Sequence, residues 1–460
     1  MRETVLQREK PQDVAIGASL DAKIWAIAWP AIIANISIPL LGLVDASLLG
    51  HLDSPLHLAA VAVGSAVLSF LYWGFSFLRM GTTGEVARAN GAGDSHRALL
   101  VLARSSVIAL AIAALLLIFQ RPLLNLGFAI MGTGEEIRET AYDYASLRLL
   151  SAPAVLLTYT AFGWFIGHQD TRWPMRILII TNLSNIALDA FFILGLGLAS
   201  RGAAIATVIA EYLGLLIVLV GLRKQLGSLL SRALWTQLRV PGPYRRLLRS
   251  NLNLFFRTLS LLFAFAFFTA AGENLGPQVV AANAVMMQFL LFAAFAMDGF
   301  AYAAEGLAGE ALGGGDLARF FRISRRCAWW TGVSALLISA LILLGKPWLF
   351  PLLTSLPEVL AIMNAHGLWL VALPLLAAPS YLLDGLFIGA GATRAMMLGM
   401  LFSAFLIYLP CWYASTGLEN HGLWMSFAAF NASRGITLAL SFWYFTRHHR
   451  WLEGHPGPAV

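Results

Sequence analysis

The sequence predicts an all-α membrane protein with twelve transmembrane helices in two six-helix bundles, related by a pseudo-two-fold axis along the membrane normal. Three observations carry that prediction. Hydrophobic residues fill 59% of the 460 positions before the 41 glycines are counted, against roughly 45–50% with glycine included in an average soluble chain. Charged residues are 12%, about half the usual roughly 25%. Segments of the first half recur in the second at a shift of 220–222 residues. A soluble fold could not hide so much apolar surface, so the excess faces lipid. The net charge of +7 comes from short basic runs between apolar stretches, which is a topology signal rather than a nucleic-acid surface.

A spanning helix needs about 20 mostly apolar residues. Twelve stretches qualify: 24–48, 58–82, 98–119, 141–167, 174–196, 202–222, 251–272, 279–304, 327–345, 365–389, 395–414 and 422–446. Their apolar runs are continuous, without the period-2 alternation of a barrel strand, so they read as helices. Trp329, Trp330, Trp348 and Tyr444 are expected as interfacial anchors. The segment 1–23 is polar with no secretory-signal pattern. Arginine and lysine crowd the even-side connections: Arg88 and Arg97, Arg172, the run Arg223 to Arg249, Arg319 to Arg326, and Arg394. The opposite side carries only Arg121, Arg138, Arg201 and Lys346, which predicts both termini in the cytoplasm. The division is therefore 1–23, a first unit 24–222, a basic linker 223–250, a second unit 251–446 and a tail 447–460. The linker suits an amphipathic helix on the inner surface, ended by Pro241-Gly242-Pro243.

The repeat is the most informative feature. GWFIGHQDTRWPM at 163–175 matches GLFIGAGATRAMM at 385–397 at a shift of 222. The same shift superposes Gly91-Ala-Gly-Asp94 on Gly313-Gly-Gly-Asp316, and a shift of 220 places 197–202 on 417–422. An even number of helices per unit gives both copies the same orientation, the geometry of two lobes rocking about a central cavity. That favours transport.

Carboxylates inside apolar helices are costly and by default mark an ion path or a substrate site. Asp45, Asp189, Glu211, Asp298, Glu305 and Asp384 qualify. The bland alternative is that some pair with Arg148, Arg257 and Arg434 to hold helices together. Asp45 follows Pro30 and Pro39, each of which frees a carbonyl and can bend the first helix. Asn185 and Asp189 share a helical face, and Thr207 opens the sixth helix nearby; this oxygen set suits a proton store or a sodium ion at Asp45, Asn185, Asp189 and Thr207. Asp298, Tyr302 and Glu305 form one stripe of the eighth helix, and Asp384 opens the repeated GxFIG segment. These four, with Met286 and Met287, are the substrate-cavity candidates; Met80 and Met297 are further methionines to watch. Repeat counterparts of Asp45 and Asp384 are Phe267 and Phe162, so the scaffold persists while its charges diverge. One coupling site, in the first lobe, is the natural reading. No phosphate loop, HExxH or CxxC pair occurs, the nine histidines lie at termini, loops and span ends, and Cys327 and Cys411 suggest no disulfide. An enzyme is not expected.

Pro39-Leu-Leu-Gly-Leu-Val-Asp45, Asn185-Ile-Ala-Leu-Asp189 and Gly202-Ala-Ala-Ile-Ala-Thr207 resemble the multidrug and toxic compound extrusion (MATE) transporters over nearly the whole chain. The segments 296–305 and 381–389 look like the DinF branch. The resemblance implies antiport of amphipathic, often cationic compounds against protons or sodium in the bacterial inner membrane. Asp45, Asn185, Asp189, Thr207 and Tyr144 would form the coupling set, with Tyr142 close to the last of them. The helix-seven glutamate of one branch is missing, since Arg257 and neutral residues occupy that stretch. This departure favours first-lobe coupling to protons. No cofactor is expected beyond the coupling ion; the partners are small-molecule substrates and membrane lipids, not nucleic acid, and the chain is expected to be a monomer. The runner-up is a lipid-linked oligosaccharide flippase of the same superfamily.

Overall fold

The computed structural model describes the backbone of residues 11–50 and 55–452, and side chains from residue 19 onward except those of 40–46 and 49–50. Among these residues there are helices and turns and no strand. The first six passes are α1 (Pro11–Gly50), α2 (Pro55–Gly91), α3 (Ser95–Ile118), α4, α5 (Arg172–Gly195) and α6 (Ala199–Gly221). In α4 the segments Glu135–Leu149 and Ala152–Gly167 meet at a 51° bend. The second six are α7 (Pro241–Glu273), α8 (Pro277–Gly313), α9 (Leu317–Leu353), α10 (Pro357–Ala390), α11 (Thr393–Ser415) and α12 (Glu419–Arg447). The unbroken apolar run Thr393–Arg447 is two passes, because the chain reverses at Glu419, whose φ is 50°.

Most helices run past the apolar stretches that announce them. α2 continues to Gly91 rather than 82 and α8 to Gly313 rather than 304. Their extra turns carry glycine and polar residues that hydropathy reads as loop, yet they are buried between helices. The linker holds two short helices, Arg223–Leu229 and Arg232–Leu238, instead of one. Leu234 and Leu238 of the second are buried against α3, and its Gln237 bonds His96 at 3.0 Å. Pro241 does not end a helix but opens α7, a position where its missing N–H costs nothing. Of the expected anchors, Trp329, Trp348 and Tyr444 are exposed, whereas Trp330 is half-buried and donates to Asp21 at 3.1 Å. Leucines such as Leu337, Leu341 and Leu344 stand outward on α9, as a lipid-facing surface requires.

The internal repeat is present in three dimensions. Asp94 caps α3 by accepting from the Arg97 N–H at 2.8 Å, and Asp316 caps α9 from Arg319 at the same distance. The preceding Gly93 and Gly315 both take the left-handed conformation, with φ of 72° and 73°. A methyl group added at Gly163 would lie 2.6 Å from the Arg79 carbonyl oxygen; at Gly385 it would lie 2.5 Å from that of Ala301, 222 residues on. The GxFIG segment therefore seats α4 on α2 and α10 on α8 in one way.

Between the two bundles the contacts are reciprocal. Gly84 meets the Ile388 carbonyl, and its counterpart Gly306 meets that of Ile166. Gly91 meets the Glu310 carbonyl, and its counterpart Gly313 meets that of Arg88. Such exchange of i with j is the mark of a two-fold interface. On the axis itself α2 crosses α8 where Gly309 faces Ala87. Small residues let the two backbones touch along this seam, which closes the gap between the bundles on the face of the basic loops. We expect Gly91→Ala to destabilise the protein by roughly 1–3 kcal/mol through overpacking, read as a lowered melting temperature in detergent. Gly227→Ala, where nothing lies within 4 Å and alanine is the better helix former, should not lower it.

Candidate functional site

A cavity of about 310 Å³ lies between the bundles, with Glu305, Gly385 and Ile388 at its end next to the seam. Asn35 of α1, Arg79 and Met80 of α2, Arg257 of α7, Asp298 and Tyr302 of α8, Asp384 of α10, and Asn431 and Arg434 of α12 line it. The α8 stripe enters it as a unit because i, i+4 and i+7 stack on one helical face.

The charges there are paired almost one for one. Arg79 holds Glu305 at 2.9 Å and stacks over Tyr302 at 4.5 Å. Asp384 takes two guanidinium groups through one oxygen, from Arg257 and, at 3.1 Å, from Arg434. Arg434 also donates to Asn431 at 3.2 Å. Asp298 forms no ion pair among the described residues. Three arginines thus face three carboxylates, and Asp298 is the carboxylate with no guanidinium within ion-pair distance. Removing one member of such a pair leaves an uncompensated buried charge, which is more costly than the pair is stabilising.

The first bundle holds two smaller polar groups. Asn185 of α5 donates to the Thr207 hydroxyl of α6 at 3.3 Å, and that hydroxyl donates to the Ala203 carbonyl at 2.9 Å. Asp189, one turn beyond Asn185, is fully buried, and the helix passes into a π turn, Ala190–Gly195, directly after it. π turns inside helices often sit at functional positions; nothing in the hydropathy pattern announced this one. Tyr144 belongs to a separate group. Its hydroxyl bonds Ser65 at 2.8 Å and accepts from Arg148 at 3.0 Å, and Arg148 pairs with Glu211 at 3.3 Å. Thr207 and Glu211 stand four residues apart on α6, so that helix joins the two groups. Asp45 falls within α1, and its side chain lies outside the described residues. Among the described residues no three His, Cys, Asp or Glu side chains converge as a metal site.

Two candidates are misplaced. Met286 and Met287 are not among the cavity-lining residues: Met286 is fully buried in the aromatic-rich core of the second bundle, and Met287 packs against that core. They lie about three helical turns from Met297, which with Met80 does reach the cavity. Arg79 is a cavity-lining charge that the sequence pattern did not single out. It sits within the predicted second span, near its end, and an arginine there should itself have asked for a partner.

One family model, described as MatE, matches residues 30–191 and again 254–413. The chain belongs to the MatE family. This MatE protein is 39% identical to DNA damage-inducible protein F of Escherichia coli (strain K12), over 95% of both chains, in line with the DinF resemblance of residues 296–305 and 381–389. It is 29% identical to the chloroplastic Protein DETOXIFICATION 44 of Arabidopsis thaliana, over 92% of this chain and 82% of that one. Its fold matches a mutant of the Vibrio cholerae MATE transporter VcmN with a TM-score of 0.85 at 23% identity, covering 95% of this chain and 99% of that one. The MatE protein is accordingly a multi-pass membrane protein of a transporter family. We expect Asp384→Ala to cost about 3–5 kcal/mol of stability by stranding two buried arginines, seen as a loss of folded yield and a lower melting temperature.

Proposed function

We propose that this protein is a secondary active multidrug exporter that moves amphipathic, often cationic compounds outward in exchange for protons. The observation that carries the reading is the central cavity between two reciprocally packed bundles, with Asp298 free and the other charges paired. A cation entering it meets one carboxylate outside any ion pair, in a wall lined by aromatic and methionine side chains and by arginines held on Glu305 and Asp384. The names of relatives, a detoxification protein and a MATE transporter, support export. The moving units are residues 24–222 and 251–446, joined by 223–250; the arginine distribution supports both termini in the cytoplasm, and the reading takes the chain as a monomer in the bacterial inner membrane.

Coupling is assigned to the first bundle, at Asp45 with Asn185, Asp189 and Thr207, and with Tyr144 on the neighbouring group. In the second bundle, Arg257 and Arg434 already occupy Asp384, and Arg79 occupies Glu305, so a free cation there would compete with tethered guanidinium groups. That argues against sodium in the second half; sodium at the first-bundle oxygens is the competing form of the same reading. A flippase for anionic lipid-linked sugars would want unpaired arginines in the cavity, and all three there are paired. In the proposed cycle a charged Asp45 keeps the first-bundle pocket polar and hydrated. Protonation from the outer side removes its charge, and α1 then bends near Pro30 and Pro39, displacing the substrate. Only such differential binding to two states can drive the shift.

The test is efflux of a fluorescent cation from proteoliposomes under a pH gradient or a sodium gradient imposed separately. We expect the pH gradient alone to suffice. Asp45→Asn should abolish gradient-driven efflux with the protein still folded, and unchanged proton-driven efflux would remove Asp45 from the mechanism. Asp298→Asn should weaken binding of cationic substrates about tenfold, as loss of a charged partner does, while a neutral substrate still exchanges with protons.

A further inference from the structure

A second cavity, of about 380 Å³, opens on the face of the basic loops. Its lining includes Arg88, Arg97, Arg246, Arg249, Arg394 and Arg450, and a single acid, Glu85. That acid is already engaged, by Arg88 at 2.8 Å and by Arg97 at 3.3 Å. Arg246, Arg249 and Arg394 form no ion pair among the described residues. The rule that basic residues stay on the inner side asks only for positive charge on that face. It does not ask for three unpaired guanidinium groups around one concavity, where they repel one another.

The walls are built rather than incidental. Arg88 is buried and donates to the Gly389 carbonyl at 2.6 Å, which fixes the turn at Gly391, where φ is 73°. After that turn α11 begins at Thr393 with no side chain capping its first amides. Those amides and the positive end of the helix dipole border the cavity. The Thr393 hydroxyl is held by Ser250 at 3.3 Å and Asn253 at 3.1 Å. Trp451, buried against Phe320, Phe387 and Phe445, anchors the chain beside Arg450.

We infer that this cavity binds a phosphate-bearing anion, with room for one or two phosphoryl groups and a short organic stem. Guanidinium forks match phosphate oxygens two at a time. The ligand is either the headgroup of an anionic phospholipid or a soluble phosphate; the recognition chemistry is the same. Arg88 and Arg97 belong to the first bundle, Arg394 to the second, and Arg246 and Arg249 stand on the end of the linker that continues as helix α7 of the second bundle. An anion held between them bridges the bundles on the sealed face and favours the state in which that face is closed. The inference does not depend on which compounds the central cavity carries.

The experiment uses the full chain in nanodiscs of phosphatidylcholine, with or without phosphatidylglycerol, and inorganic pyrophosphate as the soluble probe. Native mass spectrometry counts retained lipid, and calorimetry follows pyrophosphate. Saturable binding of one ligand per chain is expected in at least one arm. Retention of phosphatidylglycerol alone identifies a lipid headgroup, and binding of pyrophosphate alone identifies a soluble phosphate. The pair Arg249→Gln and Arg394→Gln should weaken that binding about tenfold or more. The pair Arg249→Lys and Arg394→Lys, which keeps the charge but loses the fork, should fall in between. The control pair Arg232→Gln and Arg239→Gln removes the same charge from the exposed linker and should have no effect. No saturable binding in either arm, or equal weakening by the cavity and linker pairs, overturns the inference.

Discussion

The close approach of α2 and α8 is the constraint on which the rest of the structure depends. Two helices bearing ordinary side chains pack with axes 8–10 Å apart; here glycine after glycine lets one backbone rest on the other. The approach brings Arg79 within reach of Glu305 across the boundary between the bundles. It also delivers Arg88 to the carbonyls of α10, beyond its own bundle. The central cavity and the basic cavity lie at opposite ends of this one contact, so whatever separates the two helices alters both.

The arginine–carboxylate pairs give the interior its electrical character. A membrane-embedded charge is tolerated when it is paired or faces a cavity, and Arg79, Arg257 and Arg434 meet both conditions. Pairing also sets what the cavity offers: hydrogen-bonding groups and aromatic faces, with Asp298 as the carboxylate outside any ion pair and two guanidinium groups sharing Asp384. A pocket of that kind can accept guests of many shapes and need not fix any of them by a rigid set of ion pairs.

The architecture was largely legible because its cause is local. Lipid imposes long apolar runs, and the repeat at Gly163 and Gly385 recorded the same backbone contact twice. The stripe Asp298, Tyr302, Glu305 was legible for the same reason, since helical periodicity places it without knowledge of neighbours. What depends on other helices was harder to see. Met286 and Met297 look alike in sequence, and only the aromatic cluster around one of them separates their surroundings. That Arg148, Arg257 and Arg434 would pair with buried acids is legible in the sequence, but which acid each takes is set by the packing of other helices. The buried turns of α2 beyond residue 82 read as loop because polar residues there are shielded by α8 and α10, not by their own sequence.

The crossing of Ala87 and Gly309 bears on how such a molecule arises. In a symmetric dimer of one six-helix chain, a residue on the two-fold axis packs against its own copy, and no mutation can change one side alone. Two alanines would not fit at this crossing, because a methyl group on Gly309 would come within 2.7 Å of that on Ala87. A homodimeric ancestor with this spacing would therefore have needed glycine on both sides, accepting the cost of glycine in a helix twice. Joining the copies into one chain lifts that restriction. One side then becomes alanine, and the same freedom allows an acid in one bundle to face a phenylalanine's position in the other. Asymmetric chemistry on a symmetric scaffold is thus open to two joined copies that can change separately, and closed to two identical chains that associate.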